Sequence, residues 1–162
     1  MKEYVIFAGA SGAGKSTLYN LPDTKNPKRL NIDEILADDG GEPANPNEAY
    51  LARRKGMDIL ETNLQDGVSI CQETTLTDSY VLSVLKTAYS RGYNIKMYYV
   101  GLESADIAVS RVLQRVIKGG YGLAEKQVRQ KYDESLKNLK EIAKVCDEIY
   151  VFDNTEVFKL IA

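Results

Sequence analysis

Eight residues near the amino terminus carry the clearest chemistry in the chain. Gly9-Ala10-Ser11-Gly12-Ala13-Gly14-Lys15-Ser16 satisfies Gly-x-x-x-x-Gly-Lys-Ser/Thr. Glycines let a backbone curl until successive N–H groups point inward at phosphate oxygens. A helix opening near Gly14 would add its positive end to that cradle. Lys15 would reach the β- and γ-phosphates of a nucleoside triphosphate, the Ser16 hydroxyl would bind Mg²⁺, and Gly9 to Thr17 together would hold the nucleotide. A ligand-free glycine-rich turn is the plain alternative. Against it stands the position of the loop, directly after a buried strand-like run and before the helical Ser16-Thr17-Leu18-Tyr19. The guanine-reading Asn-Lys-x-Asp is absent from the chain, which points to ATP and leaves GTP open.

Phosphoryl transfer to an alcohol needs a carboxylate to orient or deprotonate the hydroxyl, and cations around the moving phosphoryl. In an open α/β sheet, ligands gather at the carboxyl ends of the strands. Asp33 directly follows a short strand pattern at Arg29-Leu30-Asn31-Ile32, and Glu73 follows another at Val68-Ser69-Ile70-Cys71 by one residue, so each falls on the edge that carries the phosphate loop. Asp33-Glu34 also suits the first turn of a helix, and Gln72-Glu73-Thr74-Thr75 a plain strand end.

Six cations lie between positions 111 and 131: Arg111, Arg115, Lys118, Lys126, Arg129 and Lys131, with Glu125 the one acid among them. Arg111, Arg115 and Lys118 fall on one helix face, and Gly119-Gly120-Tyr121-Gly122 separates two helical patterns. Two charged helices joined by glycines make a lid that would bring Arg115 and Arg111 to the γ-phosphate. A solvated basic face is the other reading, most of all for the lysines.

Composition limits the rest. The chain has 162 residues, 44% hydrophobic and 27% charged, with 21 Lys+Arg against 23 Asp+Glu and a net charge of −2. That suits one folded domain, residues 1–162, and argues against an obligate nucleic-acid binder. Histidine is absent, which removes His-dependent triads, His-ligated zinc and phosphohistidine chemistry. Cys71 and Cys146 are too few for a disulfide framework or metal knuckle and read as core packing. No apolar run is long enough to span a membrane, and a reduced, cytoplasmic enzyme is the expectation.

The elements that must position these groups alternate. Strand patterns at Tyr4–Ala8, Arg29–Ile32, Val68–Cys71, Asn94–Val100 and Glu148–Phe152 are separated by helical patterns at Pro46–Leu64, from Asp78 as cap to Ala88, at Ser104–Lys118 and at Glu125–Lys144. Ala37–Asn47 reads as a surface loop. The expectation is an α/β domain with a mostly parallel sheet of about five strands, helices on both faces, and a lid over about 111–131.

Taken in order, these motifs resemble the zeta-toxin family of P-loop kinases. The resemblance rests on Gly9–Ser16, Asn31-Ile32-Asp33-Glu34, Glu73-Thr74-Thr75, Val100-Gly101-Leu102-Glu103-Ser104, Arg111-Val112-Leu113-Gln114-Arg115-Val116, Gly119-Gly120 and Tyr132-Asp133-Glu134-Ser135-Leu136-Lys137-Asn138-Leu139. It implies a three-layer P-loop NTPase fold and ATP- or GTP-dependent phosphorylation of a sugar hydroxyl. The family's best-known members act on UDP-N-acetylglucosamine and are restrained by an antitoxin, so a small-molecule acceptor and an antitoxin-like protein are the implied partners. By position, Asp33 matches the family's catalytic base, Glu73 and Thr75 its substrate-binding pair, and Arg115 the arginine on the nucleotide phosphates. Three positions depart from the pattern: Thr77 and Lys131 stand where arginines are common, and Tyr121 where Gly-Gly is often followed by histidine. A regulatory nucleotide-binding module and a partner-stimulated NTP hydrolase are the alternatives to a kinase.

Overall fold

The first strand, β1 (Glu3–Ala8), shows why the chain layers as it does. The computed structural model, which describes residues 1–21 and 26–162, buries Tyr4, Ile6 and Ala8 on one face of this strand and Val5 and Phe7 on the other. A strand apolar on both faces needs cover on both. The first face is covered by Leu60 and Leu64 of α3 (Pro46–Asp66) and by Val81, Val84, Leu85 and Ala88 of α4 (Ser79–Ser90). On the second face lie Leu18 of α1 (Lys15–Tyr19) and Ala108 and Val112 of α5 (Ala105–Ile117). The long α6 (Glu125–Ala143) serves both, with Val128 in the second cluster and Ile142 in the first.

Strands β2 (Arg29–Leu30), β3 (Ile70–Thr74), β4 (Asn94–Gly101), β5 (Glu148–Asp153) and β6 (Lys159–Leu160) complete a six-stranded sheet in the order β2-β3-β1-β4-β5-β6. The first five strands run parallel, and β6 pairs antiparallel with β5. Phe7, Tyr98 and Tyr150 stand in register across β1, β4 and β5, and their rings stack with centroids 5.0 and 5.1 Å apart. Such aromatic cross-strand pairs help fix a register.

This α/β architecture is the one expected, with differences of detail. Among the described residues the sheet has six strands where about five were expected, because the two-residue β6 has no periodicity to announce it. Val68 and Ser69 precede β3, which instead continues through Gln72, Glu73 and Thr74, polar residues that face the site rather than an apolar layer. Ile32 belongs to α2 (Ile32–Asp38), since Asn31 accepts a hydrogen bond from the Asp33 N–H and starts the helix one residue early. The segment expected as a loop from Ala37 is helical to Asp38, and α3 begins at Pro46 behind an Asn45 cap. Asp78 caps α4 as its position suggested, accepting from Tyr80 N–H at 3.0 Å. Among the described residues, no helix is long and apolar enough to cross a membrane.

Parallel register makes the carboxyl edge a common platform. Ala8 is level with Thr74 on one side and Tyr99 on the other, and the Gly9 N–H donates to the Thr74 carbonyl at 3.3 Å. The phosphate loop and the Glu73–Thr77 turn therefore leave the sheet side by side.

Candidate active site

The loop after β1 has room only for the backbone it has. Gly9 sits at φ +146°, and a Cβ there would stand 2.3 Å from the Val100 carbonyl oxygen of β4. Gly14, at φ +103°, precedes α1 and lies against the side chains of Asn154 and Phe158. Asn154 Nδ2 donates to the Ala13 carbonyl at 2.8 Å, tying the loop to the segment after β5.

Lys15 is 8% exposed, and its ammonium donates to the Ala10 carbonyl at 3.0 Å. Burial pushes its pKa down to about 8, although the Glu73 and Asp33 carboxylates pull it up; Arg115 and Lys131 add to the downward push. A buried ammonium short of counter-charge is a place prepared for an anion. Ser16 follows, its hydroxyl donating to both oxygens of Glu73 at 3.1 and 3.0 Å. Thr17 is exposed on α1 and does not line the cavity described next.

A cavity of about 360 Å³ opens between the phosphate loop, the start of α2, the turn after β3 and the lid. Ser11, Gly12 and Lys15 line one end. Asp33, Glu73, Thr75 and Arg115, four of the residues expected from sequence, line it too. Asp33 lies in the first turn of α2, as a helix-favouring acid would, and still faces the cavity: its charge acts on Lys15 and on Tyr121. Thr75 Oγ1 shares a hydrogen bond with Thr77 Oγ1 at 2.9 Å. The turn that presents them passes through Leu76, buried and at φ +60°, a costly conformation for a leucine. Asn138 of α6 holds it there, Nδ2 donating to the Leu76 carbonyl at 2.7 Å.

The lid contributes unevenly. Arg115 lines the cavity, with Nε donating to the Tyr121 carbonyl at 2.6 Å and the guanidinium over the Tyr121 ring. Arg111 does not line this cavity. Its Nη2 donates to the carbonyls of Asn154 at 2.6 Å and Thr155 at 3.0 Å, which anchors the β5–β6 connection. Lys131 lines the cavity, whereas Arg129, the nearby arginine, pairs on the surface with Asp106 and Glu125.

Several residues in or against the cavity escaped sequence reasoning. Arg29, 9% exposed and behind the lining, pairs with the cavity's Glu73 and with Glu34, lies over the Tyr19 ring and has a buried Nε with no hydrogen-bond partner among the described residues. Gln72 lines the floor and accepts from the buried Tyr4 hydroxyl at 2.7 Å. Arg53 and Asp78 form an ion pair at the end away from Lys15. Arg29 opens an expected strand and Asp78 is visible as a cap, but nothing in the spacing marks Arg53.

No family model matches the sequence. An uncharacterized protein of Haemophilus influenzae is 27% identical over 129 residues, which cover 79% of this chain and 91% of that one. Among solved structures, the AvrRxo1-ORF1:-ORF2 complex with ATP superposes with a TM-score of 0.70 at 12% identity, covering 99% of this chain and 57% of that one. The PezAT chromosomal toxin-antitoxin system of Streptococcus pneumoniae gives 0.65 at 13% identity over 98% and 70%. Shikimate kinase from Acinetobacter baumannii, with shikimate, gives 0.54 at 19% over 92% and 83%. The chain spans about half the length of the AvrRxo1 chain and 46% of a chain in the Pnkp1/Rnl/Hen1 RNA repair complex, which it also resembles. The fold is that of a P-loop kinase.

Proposed function

We propose that this chain is an ATP-dependent phosphotransferase that moves the γ-phosphoryl group to a hydroxyl of a sugar, sugar nucleotide or similar metabolite, in the manner of the zeta-toxin family it resembles. GTP is the alternative donor. The observation that carries the reading is one continuous cavity joining the buried Lys15 to Asp33 and Thr75. A regulatory nucleotide module would have no use for that second compartment.

In this reading the acceptor oxygen forms a bond to the γ-phosphorus while the bond from phosphorus to the β,γ-bridging oxygen breaks. ADP departs, and the hydroxyl proton passes to the Asp33 carboxylate. Lys15, Arg115 and Lys131 offset the charge on the transferring group, and Thr75 orients the acceptor. Arg111 is expected at the γ-phosphate beside Arg115, but with its guanidinium on the Asn154 and Thr155 carbonyls it would support the nucleotide site only through the β5–β6 connection. Ser16 and Glu73 present adjacent hard oxygen donors, a set that suits Mg²⁺ shared with nucleotide phosphates. The ion would neutralise phosphate charge there. Residues 1–162 are read as one kinase domain with its lid at about 111–131. The toxin–antitoxin and ORF1:ORF2 complexes among the fold relatives support an antitoxin-like partner.

ADP release with Mg-ATP, with and without sugars, sugar nucleotides and nucleosides, tests the proposal. Acceptor-stimulated turnover should fall by about 10²–10⁴ in Asp33→Ala while ATP still binds. Unchanged turnover in that variant would remove Asp33 as base. Turnover that ignores every acceptor would favour a hydrolase.

A further inference from the structure

The cations of the cavity fall into two groups. Arg115 and Lys131 act electrostatically on Lys15, and these three belong to the phosphate end. Among the described residues, the far end, between α3, the turn after β3 and the start of α4, holds one cation, Arg53. That guanidinium is already committed. Its Nη2 donates to Asp78 Oδ1 at 2.7 Å and its Nε lies 2.6 Å from Asp78 Oδ2, a two-pronged pairing. Asp78 is fixed in turn, because the same carboxylate caps α4 through Tyr80 N–H. Asp33 stands between the two ends and makes no ion pair among the described residues. The acceptor end thus carries a surplus of negative charge.

Its remaining polar groups are hydroxyls and amides. Thr75 and Thr77 bond to each other and can turn outward to a ligand, and Asn31 lies on the same wall. The whole cavity, about 360 Å³, lies near the lower end of the roughly 300–1,000 Å³ usual for ligand sites, and part of it must receive the γ-phosphate. What remains suits a single ring.

Resting on the kinase reading above, we propose that the acceptor is a polyhydroxy compound of about one sugar ring that carries no anionic group, either neutral or amine-bearing, and that the Arg53–Asp78 pair sets this preference. A phosphate, carboxylate or nucleoside diphosphate on the acceptor would meet Asp33 and Asp78 with no unpaired cation among the described residues of that end to receive it.

The test is transfer of ³²P from [γ-³²P]ATP to three pools: glucose, ribose and myo-inositol; glucosamine and galactosamine; glucuronate, glucose 1-phosphate and UDP-N-acetylglucosamine. Wild type should favour the first two pools over the anionic one by at least about tenfold in kcat/KM. Asp78→Asn keeps a capping side chain, since Asn caps as well as Asp, but uncovers the charge of Arg53. It should shift the anionic-to-neutral ratio toward the anionic pool by about tenfold. Wild-type preference for the anionic pool, or an unmoved ratio in Asp78→Asn, overturns the proposal and leaves the kinase reading intact. Transfer to none of the pools counts against the kinase reading itself. Should Asp78→Asn not fold, Arg53→Gln decides: it uncovers the Asp78 charge, so transfer to the amine-bearing pool should rise about tenfold over the neutral pool, whereas an arginine that anchors an anionic acceptor would leave that ratio unmoved and raise the anionic KM more than tenfold when lost.

Discussion

Replacing Lys15 by methionine should make the nucleotide-free protein more stable while destroying its ability to hold phosphate. The ammonium is 8% exposed, and burial lowers its pKa from 10.5 to about 8 against the pull of Glu73 and Asp33. At about 1.36 kcal/mol per pH unit, keeping it charged at pH 7 costs roughly 3 kcal/mol. Methionine matches the apolar stem and forfeits the hydrogen bond to the Ala10 carbonyl, worth about 1.5 kcal/mol for a charged donor. The net gain is about 1–2 kcal/mol, or roughly 4 °C in Tm for a chain of this length. The sign of the pH dependence follows from linkage. The folded pKa lies below the unfolded value, so between about pH 8 and 10.5 the unfolded wild type binds more protons. Lys15 therefore stops costing stability as pH rises through that window, and the advantage of Lys15→Met should vanish at about pH 9.5, where the remaining cost equals the forfeited hydrogen bond. Burial pushes Cys71 up to about 12 and Cys146 up to about 11, which opposes this trend above pH 9. Both cysteines are present in both proteins, so the difference between them isolates Lys15. Urea unfolding of wild type and Lys15→Met at pH 7, 8, 9 and 10 without nucleotide is the assay. A variant less stable at pH 7, or a stability difference that stays flat across the window, would refute the reasoning.

Other perturbations have equally definite outcomes. Gly9→Ala should cost at least about 2 kcal/mol in urea unfolding and abolish ATP binding, because its Cβ meets the Val100 backbone oxygen and no rotamer can yield. Asn138→Ala removes the donor that holds the Leu76 carbonyl; stability should fall by about 1–2 kcal/mol and the acceptor KM should rise with ATP affinity intact, in titration calorimetry and steady-state kinetics. Arg29→Met leaves Glu73 buried without its cation and should cost about 3 kcal/mol, partly restored in Arg29→Met/Glu73→Gln by denaturant unfolding.

The parts of this molecule legible in the sequence are those whose physics is local. The phosphate loop could be read because glycine spacing and the lysine declare a backbone shape, and the apolar run of β1 because burial on both faces leaves no polar residue in it. Asp33 and Glu73 could be placed on one edge from strand direction, Thr75 by the family resemblance and Arg115 from the spacing of the lid cations, and the four share one cavity. What escaped depends on partners far along the chain. Arg29 meets Glu73 across 44 positions and Arg53 meets Asp78 across 25, so neither pairing has a periodic signature. The lid shows the limit most clearly. Six cations on two helical patterns look alike in sequence, yet helix packing turns Lys131 toward Lys15, ties Arg111 to the Asn154 and Thr155 carbonyls, and leaves Arg129 to surface acids.

The bond from Asn154 to Ala13 carries a consequence for how the protein comes into being. A ribosome delivers residues 9–16 early, but β1 must wait for β3 and β4, its two neighbours, which arrive some sixty and ninety residues later. The carbonyl of Ala13 waits longer still, for a side chain that emerges after the last parallel strand. A growing chain therefore holds the residues of a phosphate site without its shape. Competence to bind nucleotide waits on Asn154, and a fragment released before that residue would lack the tie that shapes the loop.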